Sequence, residues 1–341
     1  MKHRYRFLFM GIVILVLVGM NQISISWPKI QDHKQLHRYS TGTQFSSVTW
    51  ILLSWPHATN RDKRSHALSN NTSFLYGRIY DITYNNAIYR LQQQSERYPI
   101  TFIVENKKYQ QYGDDFKKLE AKFSWYNISV LKDQQLGINL THAKTFVGDT
   151  YWVIQTANLN RTSFVDNREH FFISQDAVIR DNLIWLFLLD QKKIANPSSV
   201  TPQDYTNLLT TFSPNLLICP LNCRQTIEGI VVNAQERIRI SAQYITDQSI
   251  LNILKRKKNL DIRILTNKFD ANRNLIRALG QDAIVFETHV YNHDKLLLID
   301  NVLIIWSMNL SENALDNNRE IGIVLTDPLM IQQAESLFSK E

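Results

Sequence analysis

Apolar residues in this chain come first as one long run and afterwards as short runs between amphipathic stretches. Residues 7–20 are uninterruptedly apolar. Residues 100–104 and 260–266 are short runs rich in β-branched residues, each followed by a helix-like stretch, 114–123 and 271–280. Upstream of each, Tyr80-Asp81-Ile82-Thr83 opens a helical pattern ending near Gln94, and Tyr244-Ile245-Thr246-Asp247 opens another over 248–257. Thr246 or Asp247 suits its N-cap. His142-Ala-Lys144-Thr-Phe-Val and His293-Asp-Lys295-Leu-Leu-Leu-Ile alternate with period two, which puts His and Lys on one face of a strand. A return strand follows each after a tight turn, over 151–156 and 302–307. Asp176 and Asp327 each introduce a further helical pattern. Strands alternating with helices predict an α/β architecture.

The pattern occurs twice, so the chain reads as a duplication. We expect a first half over 73–195 and a second over 223–341. Residues 196–222, with Pro197, Ser198, Ser199, Pro202, Ser213 and Pro214, read as the linker. Residues 27–72 read as a juxtamembrane segment and the start of the first half. Residues 1–26 read as a signal anchor or a signal peptide. Lys2, Arg4 and Arg6 precede the apolar run, whose fourteen residues suit a signal-peptide core better than a span of about 20. Ile23 and Ile25 can extend it to a marginal helix, and Ser24 and Ser26 offer a cleavage site. Either way the basic flank should stay in the cytoplasm and the rest be exported. A retained anchor is the favoured form, with secretion after cleavage as the alternative.

The chemistry lies in two matched residue sets, 151 positions apart. His142, Lys144, Asp149, Thr156, Asn158 and Glu169 form the first; His293, Lys295, Asp300, Ser307, Asn309 and Glu320 form the second. Offsets from the histidine are 2, 7, 14, 16 and 27 in both. Every one of these residue types can handle a phosphate or orient a group that does. His170 and His289 lie close to the sets without partners of this kind and are assigned to structure.

Composition limits the partners. With 44% hydrophobic and 20% charged residues the chain can bury a substantial core. A net charge of +7 favours anionic partners without choosing among nucleic acid, acidic lipid and phosphate esters. The two cysteines, Cys219 and Cys223, can close a short-loop disulfide in an oxidising compartment or remain thiols. Without nearby paired histidines they make no zinc site.

The two sets resemble the phospholipase D superfamily, whose signature is His-x-Lys followed after four residues by Asp. His142-x-Lys144-x4-Asp149 and His293-x-Lys295-x4-Asp300 match it fully. The tracts from Thr156 to Ser163 and from Ser307 to Ser311 look like the family's downstream Ser/Thr-x-Asn element. Asn167-Arg-Glu169 and Asn318-Arg-Glu320-Ile-Gly322 resemble its Asn-x-Glu strand. The likeness implies two α-β-α sandwich halves forming a pseudo-dimer, with one active site at their interface, in a monomer with internal pseudo-symmetry. It also implies a phosphohistidine, with one histidine as nucleophile and the other as acid and base. By analogy His142 is the nucleophile.

On this reading Lys144 and Lys295 bring positive charge to the phosphoryl oxygens. Asn158 and Asn309 supply neutral donors, helped by Thr156 and Ser307. Glu169 and Glu320 are candidates for holding the histidines' second ring nitrogen. The motif carries Asp149 and Asp300 into the catalytic set, but their odd spacing from His turns them to the opposite face and suits a structural role. No metal or other cofactor is required. The chain departs from the family where Gln155 and Trp306 replace a glycine before the hydroxyl residue. Five residues, not six, separate Asp from that residue. We therefore expect a shorter hairpin turn, and a cleft that Trp306 narrows.

Phospholipid is the first expected substrate, with hydrolysis and phosphatidyl transfer differing only in the acceptor. Nucleic acid is the alternative, favoured if exposed aromatics line a basic groove; an apolar rim would favour lipid. A non-catalytic binding module would require Trp306 or Gln155 to plug the cleft.

Overall fold

The computed structural model describes residues 51–55, 71, 73–107 and 115–338. Its first half runs β1 (Ile51–Trp55), β2 (Leu75–Ile79), α1 (Asn85–Ser95), β3 (Ile100–Val104), α2 (Asp115–Phe123), β4 (Ile128–Lys132), β5 (Thr145–Gly148), β6 (Trp152–Gln155), α3 (Arg161–Val165), β7 (Asn167–Ser174) and α4 (Ala177–Ala195). Then come α5 (Pro202–Leu209), β8 (Leu216–Ile218), α6 (Cys223–Val232), β9 (Arg237–Ala242), α7 (Gln248–Arg256) and β10 (Asp261–Thr266). The chain ends with α8 (Arg273–Leu279), β11 (Ile284–Phe286), β12 (Tyr291–Asn292), β13 (Lys295–Ile299), β14 (Val302–Trp306), α9 (Glu312–Asp316), β15 (Ile321–Leu325) and α10 (Pro328–Phe338).

Two mixed sheets share one strand order. The first is β1-β7-β6-β5-β2-β3-β4 and the second is β8-β15-β14-β13-β9-β10-β11. Even the leading strands correspond, since β1 pairs antiparallel with β7 and β8 pairs antiparallel with β15. The duplication is thus a property of the fold and not of the motif alone. It also corrects the expected linker. Residues 196–222 contain α5 and β8, an edge strand of the second sheet, because Leu216–Ile218 is an apolar run that pairs with Ile321–Ile323.

Each sheet is buried on both faces, so its central strands read as continuous apolar runs. Within β13, Leu296 and Leu298 face a core between the sheets, while Leu297 and Ile299 face α6 and α7 outside. The core between the sheets takes Leu183 and Leu186 of α4, Tyr205 of α5, and Met330 and Ile331 of α10. On the far side of the first sheet, Phe102 and Phe146 pack against Ile88 and Leu91 of α1 and Phe123 of α2. The result is two sandwiches joined through a shared helical layer, a duplicated α/β pseudo-dimer.

Helix starts follow their caps. The side chains of Asp176 and Asp247 accept the backbone N–H of Ile179 and Ile250, and Asp327 accepts that of Met330. These bonds satisfy donors that a first helical turn leaves open. Cys219 and Cys223 form a disulfide ahead of α6. The expected N-terminal anchor lies outside the described residues. Among the described residues no helix is long and apolar enough to cross a membrane.

Candidate active site

Both hairpins turn in two residues, Asp149–Thr150 and Asp300–Asn301. That is the short turn expected from the missing residue. His142 and His293 lie just before β5 and β13, in extended segments that do not pair within their own sheet. Each segment pairs with the opposite half instead. Thr141 bridges Arg319, and β12 pairs with Asn167 and Arg168 of β7. The His142 N–H donates to Arg319 O at 2.9 Å, and the His293 N–H donates to Arg168 O at 3.2 Å.

This crossing decides the side-chain partners. His142 Nδ1 lies 2.8 Å from Glu320 Oε1, and His293 Nδ1 lies 2.8 Å from Glu169 Oε1. Each imidazole is therefore oriented by a carboxylate of the other half. With Nδ1 held, Nε2 is the nitrogen left for chemistry. Both glutamates are fully buried, and each is held by two more donors. Thr156 Oγ1 and Ser307 Oγ donate to Glu169 and Glu320 at 2.6 Å. Asn167 and Asn318 donate through Nδ2 to the other oxygens at 3.1 and 3.4 Å.

The lysines complete the site. Lys144 Nζ donates to His142 O and Lys295 Nζ to His293 O, both at 2.7 Å. Burial pushes the Lys295 amine down to about 8, against the pull of Glu169 and Glu320. Burial also pushes His142 down to about 4, with Glu320 opposing and both lysines reinforcing the shift. His293 is lowered for the same reasons, with Glu169 opposing. Both imidazoles thus sense both lysines, so the two sets share one electrostatic environment. Burial alone would raise Glu169, but His293, Lys295 and Thr156 outweigh it and hold the carboxyl at about 2. Glu320 is lowered in the same way by His142, Lys144 and Ser307.

Three expectations are corrected. Thr156 and Ser307, expected at the phosphate, instead spend their protons on the glutamates and accept the backbone N–H of His170 and Ile321. Asp149 and Asp300 stand in the hairpin turns and not at the histidines. Asp149 accepts from Ser73, while Asp300 accepts the N–H groups of Gln235, Glu236 and Arg237. Trp306 does not narrow the cleft, because its side chain packs in the outer core with Met308 and Cys223. Gln155 is also buried, donating to Ala157 O at 2.7 Å. Neither residue plugs the site.

Asn158 and Asn309 are both about 7% exposed. Asn158 lines a cavity of 490 Å³ beside His293. Burial raises the Tyr244 phenol, with the Asn309 amide opposing the shift. His170 is buried with Nδ1 on Asp294 Oδ1, a pair joining the halves next to Glu169 in sequence. The motif pattern missed Tyr80, whose ring meets His142 edge-on at 5.1 Å with Lys144 Nζ 5.7 Å from its centroid. Ile82 and Ile245 make equivalent bridges, which sets Gln243 and not Tyr244 at the position of Tyr80, so the repeat carried no signal for it.

Residues 229–341 match the family described as "Cardiolipin synthase, PLD-like domain". No curated protein sequence matches the chain. A phosphatidylserine synthase from Haemophilus influenzae is similar in fold, with 13% identity over 86% of each chain and a TM-score of 0.65. A polyphosphate kinase from Porphyromonas gingivalis is similar at 15% identity and a TM-score of 0.62, over 85% of this chain. The chain spans only half the length of that kinase. Residues 229–341 therefore carry a PLD-like domain, and a second copy of its motif is folded against it in the same strand order.

Proposed function

We propose that this chain cleaves or exchanges the phosphodiester of phospholipid head groups through a phosphohistidine on His142. The observation that carries this reading is the crossed pairing of His142 with Glu320 and His293 with Glu169. It gives two imidazoles fixed at Nδ1 and leaves two Nε2 atoms for opposite tasks. In the first step His142 Nε2 forms a bond to phosphorus as the bond to the leaving alcohol oxygen breaks. That oxygen takes the proton from His293 Nε2. In the second step water or an alcohol attacks, gives its proton to His293, and releases His142.

Charge balance supports the exchange. Two glutamates and two lysines cancel, so a bound phosphodiester anion adds one negative charge to a buried site. Protonating one imidazole restores neutrality. Low basicity at His142 keeps its lone pair available at neutral pH, as a nucleophile needs. Asn158 and Asn309 are assigned to the phosphoryl oxygens together with both lysines.

Lipid is preferred to nucleic acid because, among the described residues, no lysine or arginine lines the cavity beside His293. Beyond the reacting phosphate this cavity offers no positive charge to the further phosphates of a polyanion. The family match over the second half supports the same choice. We infer further that the catalytic part lies outside the cytoplasm behind a membrane anchor. Lys2, Arg4 and Arg6 ahead of the apolar run and the Cys219–Cys223 disulfide support that reading.

The test is to incubate purified protein with labelled phosphatidylglycerol, phosphatidylcholine and single-stranded DNA, with EDTA present. Release or exchange of a lipid head group, lost in both His142→Ala and His293→Ala, is expected. Cleavage of DNA alone would overturn the lipid assignment. Substantial turnover by either single variant would overturn the shared site.

A further inference from the structure

The two halves are tied together at the site by different means. On the His142 side the N–H groups of His142 and Ala143 both donate to Arg319 O at 2.9 Å, and the Arg319 N–H donates back to Leu140 O at 2.9 Å. On the His293 side the His293 N–H donates to Arg168 O at 3.2 Å. The N–H of Asp294, the counterpart of Ala143, turns away to Asn292 Oδ1 at 3.0 Å. A side-chain pair joins the halves at that level instead. His170 Nδ1 lies on Asp294 Oδ1, and Asp294 Oδ2 accepts the Ser241 hydroxyl at 3.0 Å. The residues matching His170 and Asp294 across the 151-position repeat are Ile321 and Ala143. All four are fully buried.

We propose that His170 and Asp294 are positioning residues for His293, a side-chain rung that aims the acid–base imidazole at the departing oxygen. The proposal rests on the two-histidine mechanism above and adds to it what holds one of those histidines to its task. Glu169 and His170 are adjacent on β7, and His293 and Asp294 are adjacent in the segment between β12 and β13. The two pairs are therefore neighbouring rungs of opposite polarity. In one, a carboxylate of the first half meets an imidazole of the second; in the next, an imidazole of the first half meets a carboxylate of the second.

The fold closes without such a rung, since Ile321 and Ala143 fill the equivalent places in the core between the sheets. An apolar pair has no polar group to desolvate, whereas His170 Nε2 is buried without a hydrogen-bond partner. Stability alone therefore disfavours the polar rung, and its effect lies in geometry. His170 has no acid–base task of its own: Asp294 takes Nδ1, and the interior encloses Nε2. Asp294 is fixed from three directions, by His170, by Ser241, and through its N–H by Asn292. Asn292 is held in turn by Asn267 Oδ1 and Leu265 O, both at 2.9 Å. This anchors the main chain on both sides of His293. A proton donor must stand within hydrogen-bond reach of the oxygen it serves, and a misplacement of about 1 Å costs on the order of 10² in rate.

The experiment compares kcat/KM of the full chain in detergent for bis(4-nitrophenyl) phosphate and diphenyl phosphate. In the step it reads, the His142 Nε2–P bond forms, the P–O bond breaks, and the leaving oxygen takes the His293 proton. Nitrophenolate departs readily without that proton and phenolate does not, so the ratio of the two values reports how well His293 donates. His170→Ile combined with Asp294→Ala installs the pair found on the other side of the site. There the ratio should shift toward the nitrophenyl substrate at least about tenfold. His170→Asn keeps a donor for Asp294, and its ratio should stay within about twofold of the unaltered protein. If circular dichroism shows the double variant unfolded, Asp294→Ala alone carries the same expectation. A loss shared equally by both substrates, or a His170→Asn ratio as shifted as that of the double variant, would overturn the positioning role. His293→Ala is the control: an unshifted ratio there would sink the acid–base mechanism itself, and this proposal with it.

Discussion

Glu320 Oε1 sits 2.8 Å from His142 Nδ1 although the two residues belong to different halves, and Glu169 stands in the same relation to His293. Neither half alone contains an oriented histidine. The duplication is thus required for chemistry as well as for burial: each half supplies an imidazole and the carboxylate that fixes its partner's. Backbone bonds from each histidine segment to the other half's Asn-Arg-Glu strand set this exchange before any side chain is placed.

The crossed pair can be separated from a structural role by a double-mutant cycle. Glu320→Gln keeps the shape but removes the charge that fixes the Nδ1–H tautomer, so kcat should fall roughly 10²- to 10⁴-fold. In a His142→Ala background the same change should cost almost nothing further, since Glu320 acts through His142. Equal losses in both backgrounds would show that Glu320 works independently. Turnover of a chromogenic phosphodiester measures both.

The pH profile should be bell-shaped, with its limbs displaced to the acid side. Below about 4 the His142 nucleophile is protonated and inactive, so kcat/KM should rise through that pH. On the alkaline side the acid, His293, must carry its proton, and burial lowers its affinity for it below the ordinary histidine value of about 6.5. The alkaline limb of kcat/KM should therefore lie below that value. Bound phosphodiester anion favours the protonated imidazole, so the same limb in kcat should move upward. An alkaline limb that coincides in kcat and kcat/KM would contradict this electrostatic coupling.

Most of the site was readable in the sequence because its spacing is copied twice. A histidine and a lysine two residues on keep fixed places at the start of one strand, and a glutamate at 27 keeps its place at or just before the second strand after it. The helix caps Asp176 and Asp247 were readable for a similar local reason. What was not readable depends on contacts between the halves. That His142 takes its carboxylate from position 320 and not 169 requires knowing how the sheets face each other. β8 was hidden because Leu216–Ile218 is only three residues long, within a stretch rich in Pro and Ser. Thr156 and Ser307 have the right chemistry for phosphate, but each donates its proton to the glutamate behind it at 2.6 Å.

Asp300 offers a test of the corrected role. Its backbone is in the left-handed region at φ 49°, which Asn tolerates, and its carboxylate accepts three backbone N–H groups at 2.8–3.0 Å. Asp300→Asn keeps one acceptor oxygen and turns the other into a donor facing an N–H. Stability should fall by about 1–3 kcal/mol while kcat changes by less than about tenfold. A catalytic aspartate would give the reverse: intact melting behaviour and a loss of turnover comparable to that of His293→Ala.

Trp306 stands where the motif it resembles has glycine, and its side chain lies in the core. The side chain is 1% exposed and belongs to the outer cluster with Met308 and Leu315. Its partner across the β14–β15 ladder is Gly322, where an added Cβ would meet Trp306 Cβ at 2.7 Å. A bulky residue at 306 is therefore matched by the absence of one at 322. Trp306→Ala should cost about 3–5 kcal/mol of stability through the cavity it leaves. Gly322→Ala should cost about 1–3 kcal/mol through the clash it creates. Denaturant titration reads both. Neither substitution should widen the site, so KM for a bulky phosphodiester should stay within about twofold in the folded protein. A marked drop in KM for Trp306→Ala would mean that the indole bounds the substrate after all.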